Sequence, residues 1–177
     1  RWAAYRLRAL EPWIDKWALP ESFAGIRGSS AHDATYDTML GIEEALCFST
    51  PLSGAAADLY KFFDQFVPEL AHTLLRTAGC PSFIPDAYIR FHAGLRVRNA
   101  LAGAIGKPYR RRCSIPQGCP WSMMVVALAT RPWILTIRRL DVKPRILADD
   151  LMVLARGEHH IHLLTTALDA TLAYLLS

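Results

Sequence analysis

Arg145-Ile146-Leu147-Ala148-Asp149-Asp150-Leu151-Met152-Val153-Leu154-Ala155 sets two adjacent carboxylates inside an otherwise apolar run. Ile146 to Ala148 and Leu151 to Ala155 read as two short buried strands, with the acids at the tip of the hairpin that joins them. Two like charges side by side against a hydrophobic sheet are costly unless a cation neutralises them. Hard divalent ions such as Mg²⁺ take carboxylate oxygens. The hairpin therefore raises the question of which other residues would share the ion.

Outward from the hairpin, the pattern alternates helices with short strands. Residues 1 to 18 carry an amphipathic helical pattern that ends at Pro20. Ser29-Ser30 can cap a helix over Ala31 to Leu46, with Met39, Leu40 and Ile42 among its apolar positions. A strand follows over Ala55 to Tyr60, then a helix over Asp64 to Thr77 with Phe66, Val67, Leu70 and Leu74 on one side. Pro81 and Pro85 bracket a turn, and Gly103, Gly106 and Pro108 favour a hairpin within Leu95 to Arg112. Pro120 suits the first turn of a helix reaching about Arg139, which Pro132 should kink or interrupt. A last helix from His159 carries Leu164, Leu168, Leu172 and Leu175 in one stripe. There is no regular βαβ alternation, so the expected class is α+β: an antiparallel sheet with helices packed on one face.

With 177 residues the chain is long enough for one domain with a full core. It opens at Arg1 without a methionine and ends inside a leucine-rich pattern, which reads as an excerpt of a longer protein. The four cysteines form no C-x-x-C pair, the reading expected of reduced, intracellular thiols. The longest apolar run, Met123 to Ile137, is broken by Arg131-Pro132 and is short for a membrane span. Net charge is only +4, yet twelve basic residues and a single acid, Asp141, lie between Arg90 and Arg145. Such a segment attracts polyanions, although taken alone it equally describes an unevenly charged solvated surface.

Two segments are candidate partners of the Asp-Asp tip. In Ala55-Ala-Ala-Asp-Leu-Tyr-Lys-Phe-Phe-Asp64, three small residues lead to Asp58 at the end of a strand, and Asp64 opens the next helix. In Ser114-Ile-Pro-Gln-Gly-Cys-Pro-Trp-Ser122, Gln117-Gly118 sits between prolines, directly after Arg110-Arg111-Arg112. Glycine permits close approach to a bulky ligand, and Gln117 offers both a donor and an acceptor. Read singly, the first is a structural strand-end acid and the second a plain turn feeding a helix.

Together, and in this order, the three segments resemble the palm of reverse transcriptases, especially those of non-LTR retrotransposons and group II introns. Phe23-Ala-Gly-Ile-Arg-Gly-Ser-Ser-Ala-His-Asp33 is similar to the segment of that family between fingers and palm. The resemblance runs from about Glu21 to Ala155, and RNA-dependent RNA polymerases usually show Ser-Gly-x-x-x-Thr and Gly-Asp-Asp instead. It implies a polymerase palm with part of the fingers and no thumb: fingers-end helices over 1–52 and the palm over 53–177. It implies that Asp58 and Asp149, with Asp150 as a companion, hold two Mg²⁺ ions (Mn²⁺ a possible substitute) for nucleotidyl transfer to a primer 3′-hydroxyl. Phe63 falls at the steric gate that favours deoxynucleotides, Gln117 and Gly118 against the nucleotide and template base, and Lys61 among phosphate neighbours. The implied partners are an RNA template, a DNA or RNA primer, deoxynucleoside triphosphates and the missing fingers and thumb segments, with no membrane. The implied setting is intracellular, and nuclear if the element is eukaryotic.

Leu147, Phe62, Trp121 and Ser29 depart from the residues usual in that family, while all three carboxylates are kept. The alternative expectation is therefore a catalytically inactive, palm-derived module that binds nucleic acid or serves as a scaffold. Glu158-His-His-Ile-His162 reads as a solvated helix start, His32-Asp33 beside Ser29-Ser30 as capping, and the five tryptophans as core or interface residues.

Overall fold

A computed structural model describes residues 2–176; the side chain of Trp2 lies outside the described part. In chain order the elements are α1 (Trp2–Ala9), α2 (Glu11–Ile14), α3 (Ala31–Cys47), β1 (Leu52–Asp58), α4 (Phe62–Gln65), α5 (Pro68–Thr77) and α6 (Phe83–Gly94). They continue with β2 (Ala100–Leu101), β3 (Ala104–Ile105), α7 (Pro120–Ile137), β4 (Lys143–Leu147), β5 (Asp150–Arg156) and α8 (His160–Leu175). The class is α+β. The main sheet is antiparallel, in the order β1-β5-β4, and β2 and β3 form a separate small hairpin.

Alternation along β5 decides the layers, because successive side chains leave opposite faces. Leu151, Val153 and Ala155 turn into a core with Trp133, Ile134 and Ile137 of α7 and Ala167 of α8. Met152, Leu154 and Arg156 turn the other way, where α3 crosses the sheet. Arg156 donates to the Gly41 carbonyl of α3, and Arg145 of β4 donates to the side chain and carbonyl of Asp37. Helices therefore cover both faces, not one as the pattern suggested. The physical reason is Arg145: its side chain is only 3% exposed, and α3 brings the carboxylate that neutralises it.

A second core lies beyond the sheet. Leu10, Ile14, Leu75, Ile84, Tyr88 and the N-terminal half of α7 bury against one another there. α7 runs through both cores. It continues without a break past Pro132, whose exposed position spares the buried face, and closes in a 3₁₀ turn over Arg138–Leu140. Residues 21–23 extend the sheet, since Ile146 donates to the Glu21 carbonyl and Phe23 donates to that of Ile146. The chain then reaches Gly25 at φ +73°, where an added Cβ would overlap the Met123 carbonyl in the first turn of α7. Only glycine permits that approach.

Several expected elements differ. The first helix divides into α1 and α2, with Pro12 in the first turn of α2. The expected strand at Ala55 starts earlier, at Leu52, and ends at Asp58. The helix expected over Asp64 to Thr77 divides at Phe66-Val67, because Pro68 begins α5. Pro81 and Pro85 do not bracket a turn; Pro85 sits inside the first turns of α6, where a missing N–H costs no internal hydrogen bond. In the leucine stripe of α8, Leu168, Leu172 and Leu175 are exposed while Leu164 packs partly buried against the core, and the buried positions are Ala167 and Thr171. Small residues win that face because α8 packs closely on α7, where the Trp133 indole N–H donates to the Thr171 hydroxyl at 3.0 Å. Ser30 caps α3 as expected, accepting from the Asp33 N–H. Trp121 and Trp133 are fully buried core residues. Among the described residues no helix is long and apolar enough to cross a membrane.

Candidate functional site

The acidic residues meet at one end of the main sheet. Pairing of β1 with β5 runs from Leu52 opposite Arg156 to Asp58 opposite Asp150. Directly opposed residues of an antiparallel pair point to the same face, with Cβ atoms about 4.5–5.5 Å apart. Asp150 thus faces Asp58 across the strands. Asp149 occupies the turn between β4 and β5, half-buried, and its carbonyl accepts from the Leu59 N–H at 3.1 Å. Burial pushes the Asp150 carboxyl above its ordinary value, and the charges of Asp149 and Asp58 push it further the same way. Asp150 therefore sits within the electrostatic reach of both other carboxylates.

The turn itself is strained. Ala148 has φ +59°, a left-handed conformation normally left to glycine, while Asp149 does not share it. Positive φ at only the first of two turn residues is the pattern of a type II′ hairpin turn, whose twist matches that of the flanking strands. This conformation holds Asp149 at the tip and delivers Asp150 into the first position of β5.

The remaining candidates sit on the segments that follow. Lys61 is exposed at φ +49°, with its ammonium 5.1 Å from the centre of the Tyr60 ring. Phe63 is half-buried; its ring packs against the core on the α1–α7 side and meets Phe62 edge-on at 6.4 Å. Phe62 in turn packs edge-on against the buried Phe66 at 5.5 Å. Gln117 and Gly118 form an exposed turn just before α7, with Gly118 at φ +73° and open space around it. That turn is tied to α4, because Ile115 donates to the Phe63 carbonyl and Ser114 to that of Phe66, and the Ile115 side chain is fully buried. The fold therefore links the Gln117-Gly118 turn to the Phe63 segment by backbone hydrogen bonds. It joins Asp58, Asp149 and Asp150 separately through the sheet register.

The donors are all carboxylates, and their mutual repulsion suits a hard divalent cation. Among the described residues no three carboxylate, imidazole or thiol groups converge as a ready metal site. An ion here would be held by one or two of these aspartates, with water and phosphate oxygens completing its shell. That is the usual manner of Mg²⁺, which dehydrates reluctantly.

Two features escaped the sequence. Arg145 reads as an ordinary strand residue, yet it is buried beneath α3, and only its ion pair with Asp37, a residue distant in sequence, reveals why. His72 and His92, 20 residues apart, stack with ring centres 5.3 Å apart, and no local motif announces the pair. The 158–162 segment behaves as expected, apart from a short hydrogen bond between the Ser53 hydroxyl and the His160 ring. No protein-family model matches the chain, and no curated protein sequence matches it.

Proposed function

We propose that this chain is the palm of an RNA-directed DNA polymerase, extending a primer 3′-hydroxyl with deoxynucleotides on an RNA template. The observation that carries the reading is the sheet register: Asp58 stands opposite Asp150 on one face, with Asp149 in the adjoining turn. A divalent ion bound to these carboxylates would supply charge neutralisation for the transferring phosphoryl group and the leaving pyrophosphate. The roles of the chain's own residues follow from their placement. Asp58 and Asp150 hold the positive charge against the sheet end, and Asp149 presents its carboxylate from the turn. Gln117 and Gly118 offer an open backbone and a free amide to a nucleotide, while Phe63, fixed by its packing, limits the space beside it. Lys61 adds positive charge just before α4, and Arg110 to Arg112 add more beside it, where Arg111 pairs with Asp64.

Primer extension tests the reading, with the full chain joined to flanking fingers and thumb segments, Mg²⁺, a primed RNA template and deoxynucleotides. Extension should fall by two or more orders of magnitude in Asp58→Asn and in Asp149→Ala. Normal synthesis by either variant would sink the assignment of that residue.

A second reading, a palm-derived module that binds nucleic acid without catalysis, is favoured by the half-buried packing of Phe62 and Phe63. It predicts that RNA binding survives loss of all three aspartates while no synthesis occurs under any metal.

A further inference from the structure

A cleft of about 790 Å³ lies away from the aspartates, between α5, α6 and the loop Arg110–Arg112. Its volume falls in the range of small-molecule sites, about 300–1,000 Å³. Three consecutive arginines face one carboxylate there, Glu69. Arg111 is held by Ser114 at 2.9 Å and Asp64 at 3.3 Å. Arg110 and Arg112 have no hydrogen-bond or ion-pair partner among the described residues. Like charges on adjacent residues repel, and the carboxylates beside the loop, Glu69 and Asp64, are fewer than the three arginines.

Two imidazoles line the same cleft. His72 of α5 and His92 of α6 approach within 3.2 Å, Nε2 to Nδ1. Tyr88 packs on His92 with ring centres 4.1 Å apart, and the His92 Nε2 is buried without a partner. Burial holds His72 below its ordinary value, and burial together with the charge of His72 takes His92 down to about 4. Both rings are therefore neutral near pH 7. The groups facing them are Glu69, Arg76 and the three arginines. A neutral imidazole pair donates or accepts hydrogen bonds without adding charge.

We infer that this cleft binds a compact polyphosphate anion, such as pyrophosphate or the phosphate tail of a nucleotide, separately from the three aspartates. Guanidinium groups bind phosphate oxygens through paired N–H donors, and three arginines lining one cleft offer more than one such fork. A cleft half-enclosed by two helices favours a compact anion over an extended strand. A divalent metal at the histidine pair is disfavoured, since three fixed positive charges share the cavity. The inference does not rest on the polymerase reading, because none of the three aspartates lines the cleft.

The test is calorimetric titration of the full chain with pyrophosphate in EDTA, together with imidazole NMR of His72 and His92. Saturable binding of one pyrophosphate per chain is expected, with shifts in both histidine signals. The double variant Arg110→Ala/Arg112→Ala, two exposed side chains, should weaken binding about tenfold or more while keeping the parent's circular dichroism. Asp58→Asn should leave it unchanged, which separates this site from the proposed catalytic one. Four results would overturn the inference: no saturable binding, affinity unaltered in the double variant, loss of binding in Asp58→Asn, or histidine signals that do not move. Tighter binding of a single-stranded oligonucleotide through the same arginines would overturn it as well, since the cleft would then hold a strand and not a compact anion.

Discussion

Ala148 is where the acidic hairpin costs the fold most openly. Its φ of +59° is one that an L side chain adopts at a penalty and glycine adopts freely. Ala148→Gly should therefore stabilise the chain by about 0.5–1 kcal/mol, read from urea unfolding midpoints. Substitution by valine, branched at Cβ, should destabilise it. Two residues further, Asp150 carries the electrostatic cost. Its carboxyl is raised by burial and by Asp149 and Asp58, so the folded state holds that proton more tightly than the unfolded chain does. The sign follows: stability falls as pH rises from the ordinary carboxyl value of 3.8 through the raised one, and the ionised group is a liability at neutral pH. Asp150→Asn should raise the melting temperature at pH 7 and leave it unchanged near pH 3, where both states are neutral. The gain should stay below about 1 kcal/mol, because the residue is exposed and screened. Both positions were legible beforehand as an acidic interruption of an apolar run. The turn type was not, since alanine, unlike glycine or asparagine, does not announce a positive φ.

At the scale of elements, the union of α3 with the sheet depends on charges that local pattern does not expose. Ser30 marked the start of α3 because capping is local chemistry. Its role as the cover of the second sheet face was hidden, because Arg145 and Asp37 pair across 108 residues of sequence. Burial pushes the Asp37 carboxyl up, but hydrogen bonds from Lys143 and Arg145 outweigh it and hold the group below the ordinary carboxylate value. Asp37 thus adds stability above pH 3.8, which is lost as pH falls through its lowered value. Asp37→Ala should cost about 3–5 kcal/mol at pH 7 by leaving the Arg145 guanidinium buried and unpaired. Adding Arg145→Met should recover most of that loss, since an apolar side chain of similar length needs no counter-ion. Little recovery in urea titrations of the double variant would show that the pair is not what joins α3 to the sheet. The face that α8 buries has the same kind of origin. A leucine stripe records which residues share a side, and only the close approach of α7 decides that the small residues, not the leucines, turn inward.

For the whole molecule, the decisive fact is that two cores share one helix. With 18 residues α7 is about 27 Å long, enough to cross the molecule. Trp121 at its start belongs to the core with α1, α5 and α6, and Trp133 belongs to the core with the sheet and α8. Periodicity could not show this division. α7 is apolar on nearly every side, and a helix buried all round has no stripe to read. A shared rigid helix should couple the cores, so that loosening one removes the support of the other. Leu75 and Ile137 are both fully buried, one in each core. Leu75→Ala and Ile137→Ala should each cost about 2–5 kcal/mol. Each should also shift a single transition in which tryptophan fluorescence and far-ultraviolet circular dichroism coincide. If Leu75→Ala instead splits the curve, with the fluorescence change preceding the loss of helix, the cores unfold separately. The sheet that carries Asp58, Asp149 and Asp150 would then keep α3, α8 and the C-terminal half of α7 while the core around α5 and α6 opens.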